Sequence, residues 1–188
     1  MIHFLEVTSA PDAKHWDKAI KTELDSIKKN NTWILVDLPK EAKPIGCKSI
    51  FKKKYHPDGS IEKYKARLVV KGFTQKHNID YFDTFAPVIR ISSIRVLLTL
   101  TSIHKLVIQQ MDVKTTFLNG ELEKEIYMTQ PEGCVAPGQK EKVCKLLKSL
   151  YCLKQAPNQW HEKIDKVLFC ESFSTNDDDM CHYMFVCG

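Results

Sequence analysis

Two strand-like runs joined by a short turn constrain this chain more than any other feature. Cys47–Tyr55 (CKSIFKKKY) and Ile61–Val70 (IEKYKARLVV) are rich in aromatic and β-branched residues, and His56-Pro57-Asp58-Gly59-Ser60 between them carries the residue types that turns require. The pattern predicts a β-hairpin. Alternation with period two then puts Lys63, Lys65 and Arg67 on one face of the second arm. From Lys40 to Lys76 there are eleven Lys and Arg against Glu41, Asp58 and Glu62, whereas the formal net charge of the whole chain is only +5. A face of this kind suits a polyanion and salt-dependent binding. A solvated lysine-rich surface is the other reading of the same residues.

The remaining segments predict a mixed α+β chain without repeats or linkers. Ser9-Ala-Pro-Asp12 has the form of a helix start, and Trp16, Ile20, Leu24 and Ile27 follow at helical spacing up to Asn30-Asn31. Thr32–Leu38 reads as a strand stopped by Pro39, and residues 72–87 as irregular and aromatic. Ile91–His104 is helical in spacing, Leu106–Val113 is a strand candidate ending near Asp112, and Asn119-Gly120 is a turn before a short strand, Ile126–Met128. Residues 131–140 form a loop. Residues 157–169 are amphipathic, with Trp160, Ile164, Val167 and Leu168 on one stripe, and Tyr183–Val186 is a further strand.

At 188 residues with 43% hydrophobic and 27% charged side chains, the chain is long enough to bury a core and too apolar for a disordered one. No apolar run approaches the roughly 20 residues that a spanning helix needs, and the N-terminus lacks the pattern of a secretory leader. An intracellular setting, cytoplasmic or nuclear, is therefore expected. The seven cysteines are an odd number at irregular spacing without a CxxC pair, so reduced thiols are expected rather than a disulfide framework or a zinc module.

Five blocks identify a resemblance. Asn31-Thr-Trp-Ile-Leu-Val-Asp-Leu-Pro39, Asp58-Gly-Ser-Ile-Glu-Lys-Tyr-Lys-Ala-Arg-Leu-Val-Val-Lys-Gly-Phe73, Phe85-Ala-Pro-Val-Ile-Arg90, Gln110-Met-Asp-Val-Lys-Thr-Thr-Phe-Leu-Asn-Gly120 and Leu150-Tyr-Cys-Leu-Lys-Gln-Ala-Pro157 resemble, in order, the reverse transcriptase of copia-type LTR retrotransposons. The resemblance runs from about Trp16 to Val186. It implies an RNA-directed DNA polymerase domain of a Gag-Pol polyprotein, with residues 1–104 a fingers-like region around the basic hairpin (about 47–71) and 105–188 a partial palm with an antiparallel sheet and packed helices. Its implied partners are an RNA or DNA primer-template and a deoxynucleoside triphosphate, and its implied cofactor is a pair of Mg²⁺ ions.

Residue by residue, the resemblance makes Asp112 the first catalytic carboxylate and a metal ligand, with the Val113 carbonyl as a second ligand. Phe117 falls where an aromatic ring would block a ribose 2′-hydroxyl. Lys65 and Arg67 match the hairpin that meets the triphosphate, a task suited to a point charge and a guanidinium fork, with Lys71 beside them. Gln155 matches the motif that lies against nucleotide and template, next to the N-terminus of the helix that Pro157 begins.

The pattern also departs from the family. A Tyr-x-Asp-Asp hairpin, which supplies the other catalytic carboxylates, is expected after Val186 and does not occur, nor do thumb, connection and RNase H regions. Asp177-Asp178-Asp179 reads as a solvated loop rather than a substitute. Cys152 stands where the family has Gly, Asn158 where it has Arg and Ser49 where it has Trp. The expectation is a chain without polymerase activity alone, the other readings being a non-catalytic nucleic-acid-binding module or an inert relic. An apolar sheet edge left open at Leu106–Val113 is expected to favour self-association.

Overall fold

The hairpin forms with the boundaries its sequence implies. The computed structural model describes residues 4–82, 84, 88–135, 137–176 and 179–185. Its elements are α1 (Phe4–Thr8), α2 (Ala13–Lys29), β1 (Trp33–Val36), β2 (Cys47–Tyr55), β3 (Ile61–Val70), α3 (Ile91–His104), β4 (Glu121–Met128), β5 (Val143–Lys148), α4 (Ala156–Cys170), β6 (Ser174–Asn176) and β7 (Asp179–Met184), with single 3-10 turns at Gly72–Thr74 and Thr116–Asn119. The sheets are antiparallel and helices are interspersed, as the α+β pattern predicts. Among the described residues no helix is long and apolar enough to cross a membrane.

β2 and β3 pair from Cys47↔Val70 to Lys54↔Lys63, and Gly59 closes the turn with φ +86°, a conformation that favours glycine. Asp58 steadies that turn by accepting from the Ser60 N–H at 2.8 Å and from the Ser60 hydroxyl at 2.6 Å. α2 lies against one face of the hairpin. Its Trp16 is buried, edge-on to Phe51 (centroids 5.5 Å apart) and to Tyr64 (4.7 Å), in a small core completed by Val7 and Ala66. Asp12 stands at the helix start but makes no capping bond; its carboxylate instead pairs with Lys53 at 2.6 Å, which lowers its pKa.

The larger core surrounds a three-stranded sheet of order β1-β5-β4 and includes Ile27, Val69, Val70, Leu118, Met128, Leu146, Leu150 and Leu153. β5 is its middle strand, bonded to β1 on one side (Trp33↔Leu146) and β4 on the other (Ile126↔Leu146). No strand was expected at β5, and β4 is longer than the three residues anticipated. The β3 end of the hairpin joins this core where the Val70 N–H donates to the Tyr151 carbonyl at 3.0 Å.

Three expectations need correction. Leu106–Val113 is not a strand: no described segment pairs with it, and without a partner its apolar side chains stay in water, with Val107 86% and Met111 89% exposed. The open sheet edge expected there is therefore absent, although the exposed apolar surface is real. α3 forms over the residues expected, yet none of its residues is buried. On α4 the stripe is only partly inward, since Val167 is 55% exposed and the buried positions are Ala156 and His161. The last strand is β7 rather than Tyr183–Val186; Val186, with Asp177, Asp178 and the Phe85–Pro87 part of the third block, lies outside the described residues.

At the junction of hairpin and sheet the backbone comes very close to itself. A Cβ on Gly72 would sit 1.9 Å from the Cys152 carbonyl oxygen, so only glycine fits there. Cys152 itself holds φ +71°, the left-handed region that a side chain disfavours. Gly72→Ala is therefore expected to destabilise the fold by more than about 2 kcal/mol. Cys152→Gly should stabilise it by about 1 kcal/mol by removing the strain. Both are read as shifts of the urea midpoint at constant slope.

Candidate nucleic-acid interface

Register decides which side chains share a face. Because Lys52 pairs with Lys65, Lys54 with Lys63 and Ile50 with Arg67, the face turned away from Trp16 presents Lys48, Lys52, Lys54, Lys63, Lys65 and Arg67. Sequence reading found the three cations of the second arm; the cross-strand register adds three from the first. No carboxylate of either strand lies among them. Burial, then Arg67, Lys54 and Lys63, pull the Lys65 pKa below its ordinary value, and Glu23 opposes them only in part. On the opposite face Lys53 is neutralised by Asp12.

Arg67 does not project freely. Its guanidinium lies 4.6 Å from the centroid of the Tyr151 ring, and Phe117 meets the same ring edge-on at 5.7 Å and 90°. Phe117 is half-buried in the 3-10 turn that follows Thr115, which is itself left-handed at φ +55°. Tyr151, 8% exposed, thus links a residue of the hairpin to a residue of the 116–119 turn. It was not singled out from sequence, and its only signal there was its place inside the Leu150–Pro157 block.

Gln155 sits at the start of α4, half-buried. Its Oε1 accepts from Gln75 Nε2 at 3.0 Å, while Gln75 Oε1 accepts from the Lys154 N–H at 2.9 Å. The amide N–H groups of Gln155 have no partner among the described residues. Lys71 follows β3 directly; its N–H donates to the Gly46 carbonyl at 2.8 Å, and its aliphatic stem packs over Gly46. It belongs to the base of the hairpin rather than to the cationic face.

Asp112 and Val113 stand apart. Both are exposed in the irregular segment before the 3-10 turn, and Asp112 makes no hydrogen bond or ion pair with a described residue. The Val113 carbonyl accepts from the Thr116 hydroxyl at 3.0 Å. Two divalent ions about 3.5–4 Å apart need several carboxylates, and the described residues contain no group of three His, Cys, Asp or Glu placed to hold a metal. The residues described do not by themselves fit that pair of ions.

Residues 30–188 match the family described as reverse transcriptase (RNA-dependent DNA polymerase). The chain is 48% identical, over 95% of its length, to the retrovirus-related Pol polyprotein from transposon TNT 1-94 of Nicotiana tabacum, of which it covers 13%. It is 41% identical over 88% of its length to the Pol polyprotein from transposon RE1 of Arabidopsis thaliana, of which it covers 11%. Over 86% of its length it is 29% identical to the truncated transposon Ty1-A Gag-Pol polyprotein of Saccharomyces cerevisiae, covering 14% of it. The chain thus spans a small fraction of the polyproteins it matches. No solved structure matches it.

Gln75 holds the turn that presents Gln155, and it is only 7% exposed. Gln75→Leu is expected to lower stability by about 1–3 kcal/mol, because the Lys154 N–H loses its partner in a part-buried setting. Thermal unfolding checks this, with Gln75→Glu, which keeps one acceptor, expected to lose less.

Proposed function

The chain belongs to the reverse transcriptase family, the RNA-dependent DNA polymerases, and on that premise we propose that its cationic hairpin face and the 150–155 turn hold the nucleotide and the primer-template of a copia-type Pol polyprotein. The observation that carries this reading is the convergence of Arg67 and Phe117 on one ring, Tyr151. Separate elements supply a cation for a triphosphate and an aromatic wall for a sugar, both in contact with the same ring. Division into fingers (1–104) and partial palm (105–188) is part of the proposal, supported by the sheet and hairpin meeting at the Val70–Tyr151 hydrogen bond.

In this reading Lys65 and Arg67 bind phosphate oxygens, Lys65 as a point charge and Arg67 through its planar fork. Stacking on Tyr151 fixes the plane of the guanidinium, so less freedom is lost when it meets an anion. Phe117 offers its ring edge to the sugar and leaves no partner for a 2′-hydroxyl. The N–H groups of Gln155 point toward nucleotide or template. Asp112 and the Val113 carbonyl are the residues of this chain that the family resemblance assigns to Mg²⁺, and the described residues add no carboxylate group that would complete a two-ion site.

Because Asp112 is the one carboxylate so assigned, the chain by itself binds Mg²⁺ weakly and does not extend a primer. Primer extension on an RNA template with Mg²⁺, comparing the chain with Asp112→Asn, is expected to show no incorporation by either; incorporation abolished by the substitution would refute this. The same proposal places the chain inside the cell, in cytoplasm or nucleus. It also lets the exposed apolar residues between Ile91 and Val113 drive self-association, visible as a rising mass in light scattering.

A second reading, nucleic-acid binding without catalysis, is favoured by one observation: the cationic face is complete within the described residues and Asp112 is isolated. Under either reading, primer-template affinity should fall steeply with salt. Lys65→Ala with Arg67→Ala should reduce the slope of log affinity against log salt by about 2 and weaken binding across all sequences. An inert chain would show neither effect.

A further inference from the structure

The outward edge of β3 is satisfied at its Leu68 and Val70 N–H groups, and the stretch before them opens into a groove. Inter-strand bonds alternate along an antiparallel pair, and the Val70 and Leu68 N–H groups point away from β2, to the Tyr151 carbonyl and to Glu23 Oε1 at 3.2 Å. The N–H groups of Tyr64 and Ala66 therefore point outward too, and neither has a partner among the described residues. In front of them lies a groove of about 350 Å³ between β3 residues 62–66 and one stripe of α2: His15, Lys18, Ala19, Thr22 and Glu23.

We propose that this groove takes an extended acidic peptide that adds to β3 as a further strand, with its carbonyls accepting from Tyr64 and Ala66. Glu23 shows the geometry in miniature: its carboxylate occupies, at Leu68, the place of an incoming strand's carbonyl and closes that end of the groove. Charge selects the occupant. Lys18, Lys63 and Lys65 rim the open stretch, with Lys54 and Arg67 beside Lys65, against Glu62 and the already engaged Glu23. A second copy of β3 is disfavoured, since antiparallel self-pairing about residues 64–66 would set lysines opposite lysines. The proposal shares Lys65 and Arg67 with the proposed nucleotide site but uses none of Asp112, Phe117 or Gln155, and its backbone contacts at Tyr64 and Ala66 distinguish the two.

The test is an amide NMR titration of the full ¹⁵N-labelled chain with an acetylated, amidated octapeptide alternating Glu and Val. Saturable shifts at Tyr64 and Ala66, slower solvent exchange at both, and at least tenfold weaker binding of the matching Lys and Val octapeptide are expected. Thr22→Trp, which fills the groove from the helix side, should weaken binding at least tenfold. The exposed Lys18→Glu should weaken it about threefold without touching the core. Absence of shifts at these two amides at millimolar peptide overturns the proposal, as does equal binding of the lysine peptide. Displacement of the peptide by oligo-dT, with the same amides shifting, would assign the groove to single-stranded nucleic acid instead and also overturn it.

Discussion

The hydrogen bond from the Val70 N–H to the Tyr151 carbonyl, beside the contact of Gly72 with Cys152, is the constraint on which the rest of the structure turns. A two-stranded hairpin is marginal alone in water. Here its far end leans on Trp16 of α2, and its near end enters the larger core through Val69 and Val70, each at most 2% exposed. Docking the base of β3 onto the 150–155 turn sets where Arg67 stands relative to Tyr151, and so where the whole cationic face points. A shift of the turn would carry Phe117 and Gln155 away together, because both are tied to it by direct contact.

The hairpin is asymmetric in its electrostatics. One face is neutralised and packed, with Lys53 held by Asp12 and lying within 6.0 Å of the Trp16 ring centroid. The other gathers six cations with no strand carboxylate to offset them. Like charges directly across a ladder destabilise it, and Lys52↔Lys65 and Lys54↔Lys63 are two such pairs. Folding therefore tolerates a local electrostatic cost on this face, which Glu23 offsets in part at Lys65. Screening makes the same face weaken with salt.

The sequence made legible what is local. Both arms of the hairpin alternate and a turn of the right chemistry joins them, so β2 and β3 were readable to the residue, and α2 carried its own apolar stripe. What tertiary pairing decides was not readable. Val143, Leu146 and Leu147 fit helical spacing as well as a strand, and only bonding to β1 and β4 on both sides makes that segment β5. Leu106–Val113 has strand composition, but composition does not provide a partner. Of the candidate site, the five blocks named Lys65, Arg67, Phe117 and Gln155. They could not reveal that Tyr151 joins two of them, since that contact is made in space by residues far apart in the chain.

Cys152 shows how the junction bears strain. A left-handed residue with a side chain costs of order 1–3 kcal/mol and persists only where its surroundings over-determine it. Those surroundings are present on every side: Leu150 and Leu153 are at most 2% exposed, the Tyr151 carbonyl is bonded to Val70, and Gln75 holds the Lys154 N–H. The turn is thus fixed by its neighbours rather than by its own residue preference. That is why a cysteine can occupy a position whose geometry favours glycine, and why the groups on either side of it, Tyr151 and Gln155, keep their places.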